Sequence, residues 1–498
     1  MIHKLITRIA VTLVLFLFAG VAMAQHETVG GATVGAATGG GTISSSSRGA
    51  TVKRPPVRRT TPPRTTPRTP PTRGTTAEQF NAKGDELFKA KNYDDALEAY
   101  LRAVALKPIA GAYYHIGWIY NDQDDFDNAL PALQQAARLS PSDEVIFSEL
   151  GYTYRNLKQY PQALAAYRQA IQIRSDYVTP YYQIGWIYNE QEQYEQAIEP
   201  LRRAASLKEN YAEAYSELGY SYQKLNRSQE AIAAYRQAIQ LKPDDGASYL
   251  GLGDVNYYQT KDYKAALSAY TQGVKYKDDN PTAFYNLAWC ANEYSQYSQA
   301  AIAARKAIDL KSDYHEAYAE LGYAKRKLNS PSEAISAYQQ AIILKPAYGV
   351  AHTGLGDTFF ETKQYHESVA PYERAIRITP NNTRIRYNLG WVYNHEARYA
   401  EAVPVLSEAV RLKPEYVEAH TELGFSYYKL HRLPAAIESL SAAIRLKKAH
   451  ATAHLYLGYV YIEQKNKQGA ISEYTILKTL DPAKAQQLFD AAPPSFRN

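Results

Sequence analysis

The chain of 498 residues contains one cysteine, two methionines and four tryptophans. A single cysteine excludes an internal disulfide framework and any metal or iron–sulfur site that needs several thiolates. The sequence also lacks a phosphate-binding loop, a His-Glu-x-x-His motif, a Gly-x-Ser-x-Gly motif and a cluster of metal ligands. We therefore predict that the protein is not an enzyme and uses neither a cofactor nor a metal ion.

An apolar run from Ile9 to Val21 stands near the start of the chain, after Lys4 and Arg8 and before Ala22-Met23-Ala24. A positive start, a short apolar stretch and a small-x-small site are typical of a bacterial secretory signal. The run is shorter than the roughly 18 to 20 apolar residues of a spanning helix, although an uncleaved anchor is the alternative. We predict that residues 1–24 are removed after Ala24, that no spanning segment remains, and that the protein is periplasmic or secreted.

The next 52 residues differ in composition from the rest. Residues 25–51 are rich in Gly, Ser, Thr and Ala, and residues 52–76 interleave Pro with Arg and Thr. Residues 25–76 carry a net charge of +7, which leaves −3 for residues 77–498. We predict a disordered basic linker, which serves either as a spacer or as an attachment to anionic envelope polymers. The nearly neutral body lacks the basic stripe that nucleic acid binding requires.

From residue 77 onward the sequence repeats about every 34 residues. One small residue marks each unit, in the order Gly84, Gly117, Gly151, Gly185, Gly219, Gly253, Ala288, Gly322, Gly356, Gly390, Gly424 and Gly458. Apolar residues recur at helical spacing on both sides of a central turn, so each unit is predicted to be two helices. One such hairpin cannot bury both apolar faces, so stability must come from stacking on neighbours.

The order small, Ala, aromatic, Ala, Pro within a unit resembles the tetratricopeptide repeat. It is complete in Gly84, Ala96, Tyr100, Ala103 and Pro108, and again in two later units (Gly219, Ala231, Tyr235, Ala238 and Pro243; Gly322, Ala334, Tyr338, Ala341 and Pro346). The resemblance implies an all-α, right-handed α-solenoid of about twelve helix-turn-helix repeats at residues 77–482, with a C-terminal capping helix and tail at residues 483–498. It also implies that partner peptides or proteins bind along a concave groove.

From residue 180 onward, a longer period of about 102 residues is visible in the aromatic residues. All four Trp directly follow a landmark, and the unit after each carries an aromatic residue at the same place. These residues, with a Tyr four positions before each Trp and an Asn three positions after it, form a stripe rotated away from the predicted core stripe. We predict that the stripe lines the groove through Tyr114, Trp118, Asn121, Tyr152, Tyr182, Trp186, Asn189, Tyr220, Tyr285, Trp289, Asn292, Tyr323, Tyr387, Trp391, Asn394 and Phe425.

Two functions remain open at this level. The preferred one is a non-catalytic exported scaffold that binds extended peptides or proteins on the aromatic groove. The alternative is an envelope polysaccharide or peptidoglycan-binding protein, in which the Trp rings stack on sugars and the Asn side chains and their acidic neighbours form hydrogen bonds with hydroxyl groups. A third possibility concerns structure alone, because Trp residues at helical spacing also pack between neighbouring helices.

Overall fold

The structure is a computed structural model that describes residues 76–497. Within that range the chain consists of helices, turns and short connections, with no β-strand. The predicted signal peptide and nearly all of the predicted linker lie outside the described residues. The first described helix begins at Ala77, where the hydroxyl of Thr76 accepts a hydrogen bond from the backbone N–H of Gln79.

Twelve helical hairpins follow one another, each made of a first and a second helix. The first helices are α1 (Ala77–Lys89), α3 (Ala110–Asp122), α5 (Glu144–Asn156), α7 (Val178–Glu190), α9 (Ala212–Lys224), α11 (Gly246–Asp254), α13 (Pro281–Glu293), α15 (His315–Lys327), α17 (Gly349–Glu361), α19 (Thr383–His395), α21 (Val417–Lys429) and α23 (Ala451–Glu463). The second helices are α2 (Tyr93–Leu106), α4 (Phe126–Leu139), α6 (Tyr160–Ile173), α8 (Tyr194–Leu207), α10 (Ser228–Leu241), α12 (Tyr263–Tyr276), α14 (Tyr297–Leu310), α16 (Pro331–Leu344), α18 (Tyr365–Ile378), α20 (Tyr399–Leu412), α22 (Leu433–Leu446) and α24 (Lys467–Leu480).

The described hairpins belong to two compact units. Residues 76–173, with three hairpins, form the first unit, and residues 174–497, with nine hairpins, form the second. Two shorter helices, α25 (Pro482–Ala491) and α26 (Pro494–Arg497), end the described chain. Leu488 of α25 packs near Gly458 of the last first helix and closes the apolar surface there. The predicted fold class, an all-α solenoid of about twelve helical repeats, is confirmed.

The landmark residue is small because the two helices of a hairpin touch at that point. A methyl group added to Gly117 would lie 2.4 Å from Cγ of Leu133, and one added to Gly84 would lie 2.6 Å from the ring of Tyr100. Such distances are shorter than van der Waals contact, so glycine permits the close approach. Ala288 is the one landmark with a side chain, and the corresponding residue of its second helix is the small Ala304, which is fully buried.

Each hairpin turn contains one residue in the left-handed backbone region, and none of the twelve is glycine. Their φ angles lie between 57° and 61°, at Lys91, Asp124, Lys158, Glu192, Asn226, Lys261, Ser295, Asn329, Lys363, Ala397, His431 and Lys465. An L-residue pays roughly 1–2 kcal/mol for this conformation. The turn is therefore imposed by the packing of the two helices and not by the local preference of its residue.

The sixth repeat has one residue more than its neighbours, and the structure absorbs it in a π-helical turn at Val255–Thr260. The turn extends α11 to the beginning of the hairpin turn. The side-chain amide of Gln259 there donates to the backbone carbonyl of Gln223, at 2.7 Å, and its oxygen accepts from the hydroxyl of Ser228. The inserted residue thus leaves the hairpin intact and adds contacts to the preceding repeat.

Replacing Ala397 by glycine tests the strain in the turns. Ala397 is exposed and has a φ of 59°, so Ala397→Gly removes a steric cost and is expected to raise stability by about 0.5–1 kcal/mol. The midpoint of guanidinium unfolding, followed by circular dichroism, measures the change. The matched control is Ala233→Gly, in the exposed middle of α10, which should destabilise by about 1 kcal/mol. Loss of stability in both variants would show that the turns are unstrained.

Candidate binding face of the first helices

Within each compact unit, the first helices of successive repeats lie side by side and form a surface, here called the inner face of that unit. Within each unit they contact one another, whereas successive second helices of the described chain make no comparable contact. All sixteen residues predicted for the groove lie on first helices. Four of them are in the first unit, on α3 and α5, and twelve are in the second unit, on α7, α9, α13, α15, α19 and α21.

Three of the predicted tryptophans, Trp118, Trp289 and Trp391, pack against aromatic residues of the preceding repeat. The ring centroid of Trp118 lies 4.9 Å from that of Phe88 and 5.4 Å from that of Tyr93, at steep interplanar angles. Trp289 meets Tyr257 and Tyr263 in the same way, at 5.2 and 4.8 Å. Edge-to-face pairs of this kind stabilise by about 0.5–1.5 kcal/mol beyond burial. The Trp side chains remain partly exposed, so they serve packing and still present surface.

The aromatic residue of the following repeat is held in a related manner. Tyr152, Tyr220, Tyr323 and Phe425 pack against the first residue of the preceding second helix, which is Phe126, Tyr194, Tyr297 and Tyr399 in turn. Each of the four rings also has a cation over it. The distances from the charged group to the ring centroid are 4.9 Å for Arg155, 5.4 Å for Lys224 and 5.5 Å for Lys429, while the ring of Tyr323 has both Arg326 at 5.3 Å and Lys327 at 5.6 Å. These pairs combine a flat apolar surface with a positive charge.

The tyrosines that precede the tryptophans differ in how much surface they present. Tyr182 is buried, with 6% of its surface exposed, whereas Tyr114, Tyr285 and Tyr387 are partly exposed. In the second unit these residues pack on a tyrosine that begins the next repeat. The ring of Tyr285, for example, lies 5.2 Å from that of Tyr314. These tyrosines of the predicted stripe therefore also take part in the packing between neighbouring repeats.

The four asparagines have a role that differs from the predicted one. Asn121, Asn189, Asn292 and Asn394 are 1–6% exposed, and each donates its side-chain amide to a glutamate of the next repeat, Glu149, Glu217, Glu320 and Glu422 in turn, at 2.7–3.0 Å. We expected these amides to be polar handles for a ligand. They are instead occupied by holding neighbouring first helices together, because a buried amide without a partner is costly.

A hydroxyl group completes this contact in three of the four copies. The side-chain oxygen of Asn189 accepts from Ser221 at 2.7 Å, that of Asn394 accepts from Ser426 at 2.7 Å, and that of Asn121 accepts from Thr153. We call the Asn, the Glu and the hydroxyl residue the clasp. In the copy at Asn292 the hydroxyl position is taken by Ala324, and Oδ1 of Asn292 is buried without a hydrogen-bond partner. The glutamates recur 28 residues after each asparagine, a spacing that the sequence contained but whose role was missed.

Charged residues end the first helices in a regular order. In the second unit the last residues are Glu190 of α7, Lys224 of α9, Glu293 of α13, Lys327 of α15, Glu361 of α17, Lys429 of α21 and Glu463 of α23, with His395 ending α19. Except at α11 and α19, which end at Asp254 and His395, carboxylate and ammonium groups therefore alternate along one edge of the inner face. Such an arrangement recognises a chain with spaced charges of both signs.

Other candidate chemistry is weak in the part of the chain that the structure describes. Its His, Cys, Asp and Glu residues form no group of three that could hold a metal ion. Cys290 is fully buried, and burial raises the pKa of its thiol to about 12, so it is an inert packing residue. Helices between residues 76 and 497 are too short or too polar to cross a bilayer.

Family models agree with this architecture. Models described as Tetratricopeptide repeat match residues 81–144, 143–210, 212–245, 256–315, 315–348 and 421–492, and one described as TPR repeat matches residues 356–394 and 398–431. The chain belongs to the tetratricopeptide repeat family. No curated protein matches it.

Several solved tetratricopeptide repeat structures are similar in fold. The C-terminal part of a TPR repeat-containing protein from Cytophaga hutchinsonii is 20% identical, covers 55% of this chain and 98% of that chain, and has a TM-score of 0.38. YrrB, described as a TPR protein with an unusual peptide-binding site, is 21% identical over 38% of this chain and 97% of its own, with a TM-score of 0.35. PilF of Pseudomonas aeruginosa is 21% identical over 42% and 95%, with a TM-score of 0.36.

The incomplete clasp of this tetratricopeptide repeat array gives a direct test. Ala324→Ser supplies a donor to the buried oxygen of Asn292 and is expected to stabilise by about 1 kcal/mol. Room for the hydroxyl exists at the equivalent positions, because Ser221 and Ser426 are fully buried there. The opposite changes, Ser221→Ala and Ser426→Ala, should each destabilise by about 1–2 kcal/mol. Thermal melts measure all three, and destabilisation by Ala324→Ser would contradict the assigned role of the clasp.

The glutamate of the same clasp predicts a pH dependence. Burial raises the pKa of the Glu320 carboxyl to about 7 and Glu293 adds to the rise, although the amide of Asn292 opposes it. The folded state then binds more protons than the unfolded state between about pH 4.5, the ordinary value, and pH 7. Stability should therefore fall as pH rises through this window.

Glu320→Gln removes the titrating group and keeps an acceptor for Asn292. We expect it to flatten the pH dependence and to raise stability at pH 8 by roughly 1–2 kcal/mol, less than the full shift implies because the residue is partly exposed. Unfolding midpoints at several pH values between 4 and 8 measure this effect. Glu438→Gln, on the exposed side of α22, is the control. An unchanged slope in Glu320→Gln would refute the assignment.

Proposed function

We propose that this protein is an exported, non-catalytic scaffold that binds extended peptide segments of partner proteins along the inner face of its tetratricopeptide repeats. Membership of the family supports binding of proteins or peptides in general. The predicted signal at residues 1–24 supports export to the periplasm or beyond. The assignment of the inner face as the site rests on its side chains.

The alternation of charges along the inner face carries this proposal. The first helices of the fourth, fifth, seventh and eighth repeats end at Glu190, Lys224, Glu293 and Lys327 in turn. The two lysines lie over the rings of Tyr220 and Tyr323. A polypeptide with spaced acidic and basic side chains complements both features. Aromatic rings add flat surfaces for proline, aliphatic and guanidinium groups.

The same observations disfavour the glycan alternative. A sugar ligand needs hydrogen-bonding partners beside the aromatic platforms, which the sequence predicted to be the asparagines and their acidic neighbours. The asparagines beside the tryptophans are committed to the clasps and are nearly fully buried. Alternating charge also contributes little to the recognition of a neutral polysaccharide.

Reversing the inner-face lysines tests the proposal without touching the packed tryptophans. A variant with Lys224→Glu, Lys327→Glu and Lys429→Glu, used as bait in a cell-envelope extract, is expected to lose at least nine tenths of the protein that wild type captures. The three introduced glutamates then face the acidic groups of the partner, and repulsion between like charges weakens binding. Lys327 and Lys429 are exposed and Lys224 is partly exposed, so folding should be retained, and a melt confirms it.

The matched control carries the same change in net charge elsewhere. It replaces the exposed Lys264, Lys275 and Lys448, which lie on the second helix α12 and in a connection between repeats, by glutamate. The control should capture the wild-type set of proteins. Equal loss in both variants, or a captured ligand that survives proteolysis and is displaced by soluble polysaccharide fragments, would contradict the proposal.

A further inference from the structure

The segment that precedes the first helix has the chemistry of a ligand for the inner face. Residues 52–75 contain seven prolines, six arginines, one lysine and no acidic residue. Proline-rich segments favour the extended conformation, and proline rings and guanidinium planes both stack on aromatic side chains. The chain therefore carries, next to its own repeats, a sequence of the class that an aromatic and acidic surface recognises.

The first unit is the acidic part of the described chain. Residues 76–173 contain thirteen Asp and Glu against nine Lys and Arg, a net charge of −4, whereas residues 174–498 carry +1. Several of these carboxylates stand where the first helices end. Asp122 is the last residue of α3, and Asp124 and Asp125 form the turn that follows. The side-chain amide of Gln123 donates to Asp94 of the preceding hairpin, so the acidic turns of the first two repeats adjoin.

Aromatic groups lie beside this acidic edge on the inner face of the first unit. The ring of Phe88 lies 4.5 Å from that of His115 and 4.9 Å from that of Trp118, and Tyr114 lies 5.1 Å from His115. These side chains are partly exposed. The first unit thus offers both the rings that proline and arginine stack on and the negative charge that a +7 segment requires.

The covalent connection favours this unit over any other. The basic segment ends at Thr76, whose capping of α1 fixes the point where it joins the first repeat. Twenty-four extended residues reach about 75 Å, against roughly 20–30 Å across three neighbouring helices. A short tether of this kind gives an effective concentration on the order of 1 mM.

We propose that residues 52–75 bind the inner face of the first unit in the same molecule and compete there with partner peptides. This proposal rests on the function proposed above, since it assigns an intramolecular ligand to the same face. Partner binding at the first unit then requires displacement of the basic segment. High salt is expected to weaken the intramolecular contact, because exposed charges are screened.

Binding of a labelled synthetic peptide with the sequence of residues 52–75 tests the proposal. Fluorescence anisotropy is measured with the full chain and with a full-chain variant in which Lys53, Arg54, Arg58, Arg59, Arg64, Arg68 and Arg73 are replaced by serine. If the wild-type segment occupies the face at about 1 mM and the peptide binds an open face with a Kd of about 0.1 mM, the serine variant binds roughly tenfold more tightly. That result supports the proposal.

A second set of variants tests whether the peptide binds to the first unit. In the serine background, Asp122→Asn, Asp124→Asn and Asp125→Asn together should weaken peptide binding at least fivefold, and asparagine can still form the turn and the cap at residues 124 and 125. The control replaces the exposed Asp244, Asp279 and Asp313 of the second unit by asparagine and should leave binding unchanged.

The other outcomes overturn the proposal. Equal affinity for wild type and the serine variant would show that the segment does not occupy the face, although the face would still bind such peptides. Absence of binding to both would exclude the segment as a ligand, and the capture experiment with the lysine variants would still decide the proposed function. Cross-linking between isotopically light and heavy chains through a photoreactive residue at position 63 would place the segment on a second copy instead.

Discussion

Every hairpin of this protein depends on contact with the next one, because a pair of short helices cannot bury both of its apolar faces. Within each unit, each second helix packs on the first helix of the next repeat, and the inner face adds contacts between successive first helices. Trp289 packs on two tyrosines of the preceding repeat, while Asn292 donates to a glutamate of the following one. Residues three positions apart on one helix thus hold the repeats on both sides.

This double use constrains how the inner face can bind a ligand. Groups that hold the repeats together, the buried asparagines above all, are unavailable to a partner. Groups at the ends of the first helices are not needed for stacking in the same way, and they carry the alternating Glu and Lys residues. Specificity is therefore expected to reside in the helix ends and their cation–aromatic pairs, while the tryptophans supply a rigid surface whose geometry the stacking fixes.

The period of the sequence was enough to predict the hairpins, because glycine at the landmark has a local steric cause that any helical pair would share. The clasp was harder to foresee, since Asn189 and its partner Glu217 lie 28 residues apart and meet only when two repeats stack. The left-handed turn residues, such as Ala397, carry no sequence signal because packing imposes their conformation. The extra residue of the sixth repeat was visible, but its accommodation in a π-helical turn depends on the partners that Gln259 finds.

The proposed function requires that ligands bind on the inner face. Hydroxyl-radical footprinting of the full chain, with and without a protein ligand obtained by capture, reads the exposure of individual side chains. Binding on the inner face is expected to protect aromatics such as Tyr285, Trp289 and Trp391, with unchanged oxidation of the exposed Tyr276, Ile302 and Ile343 on the second helices. Protection of the second-helix residues, with Tyr285 and the tryptophans unchanged, would contradict binding on the inner face.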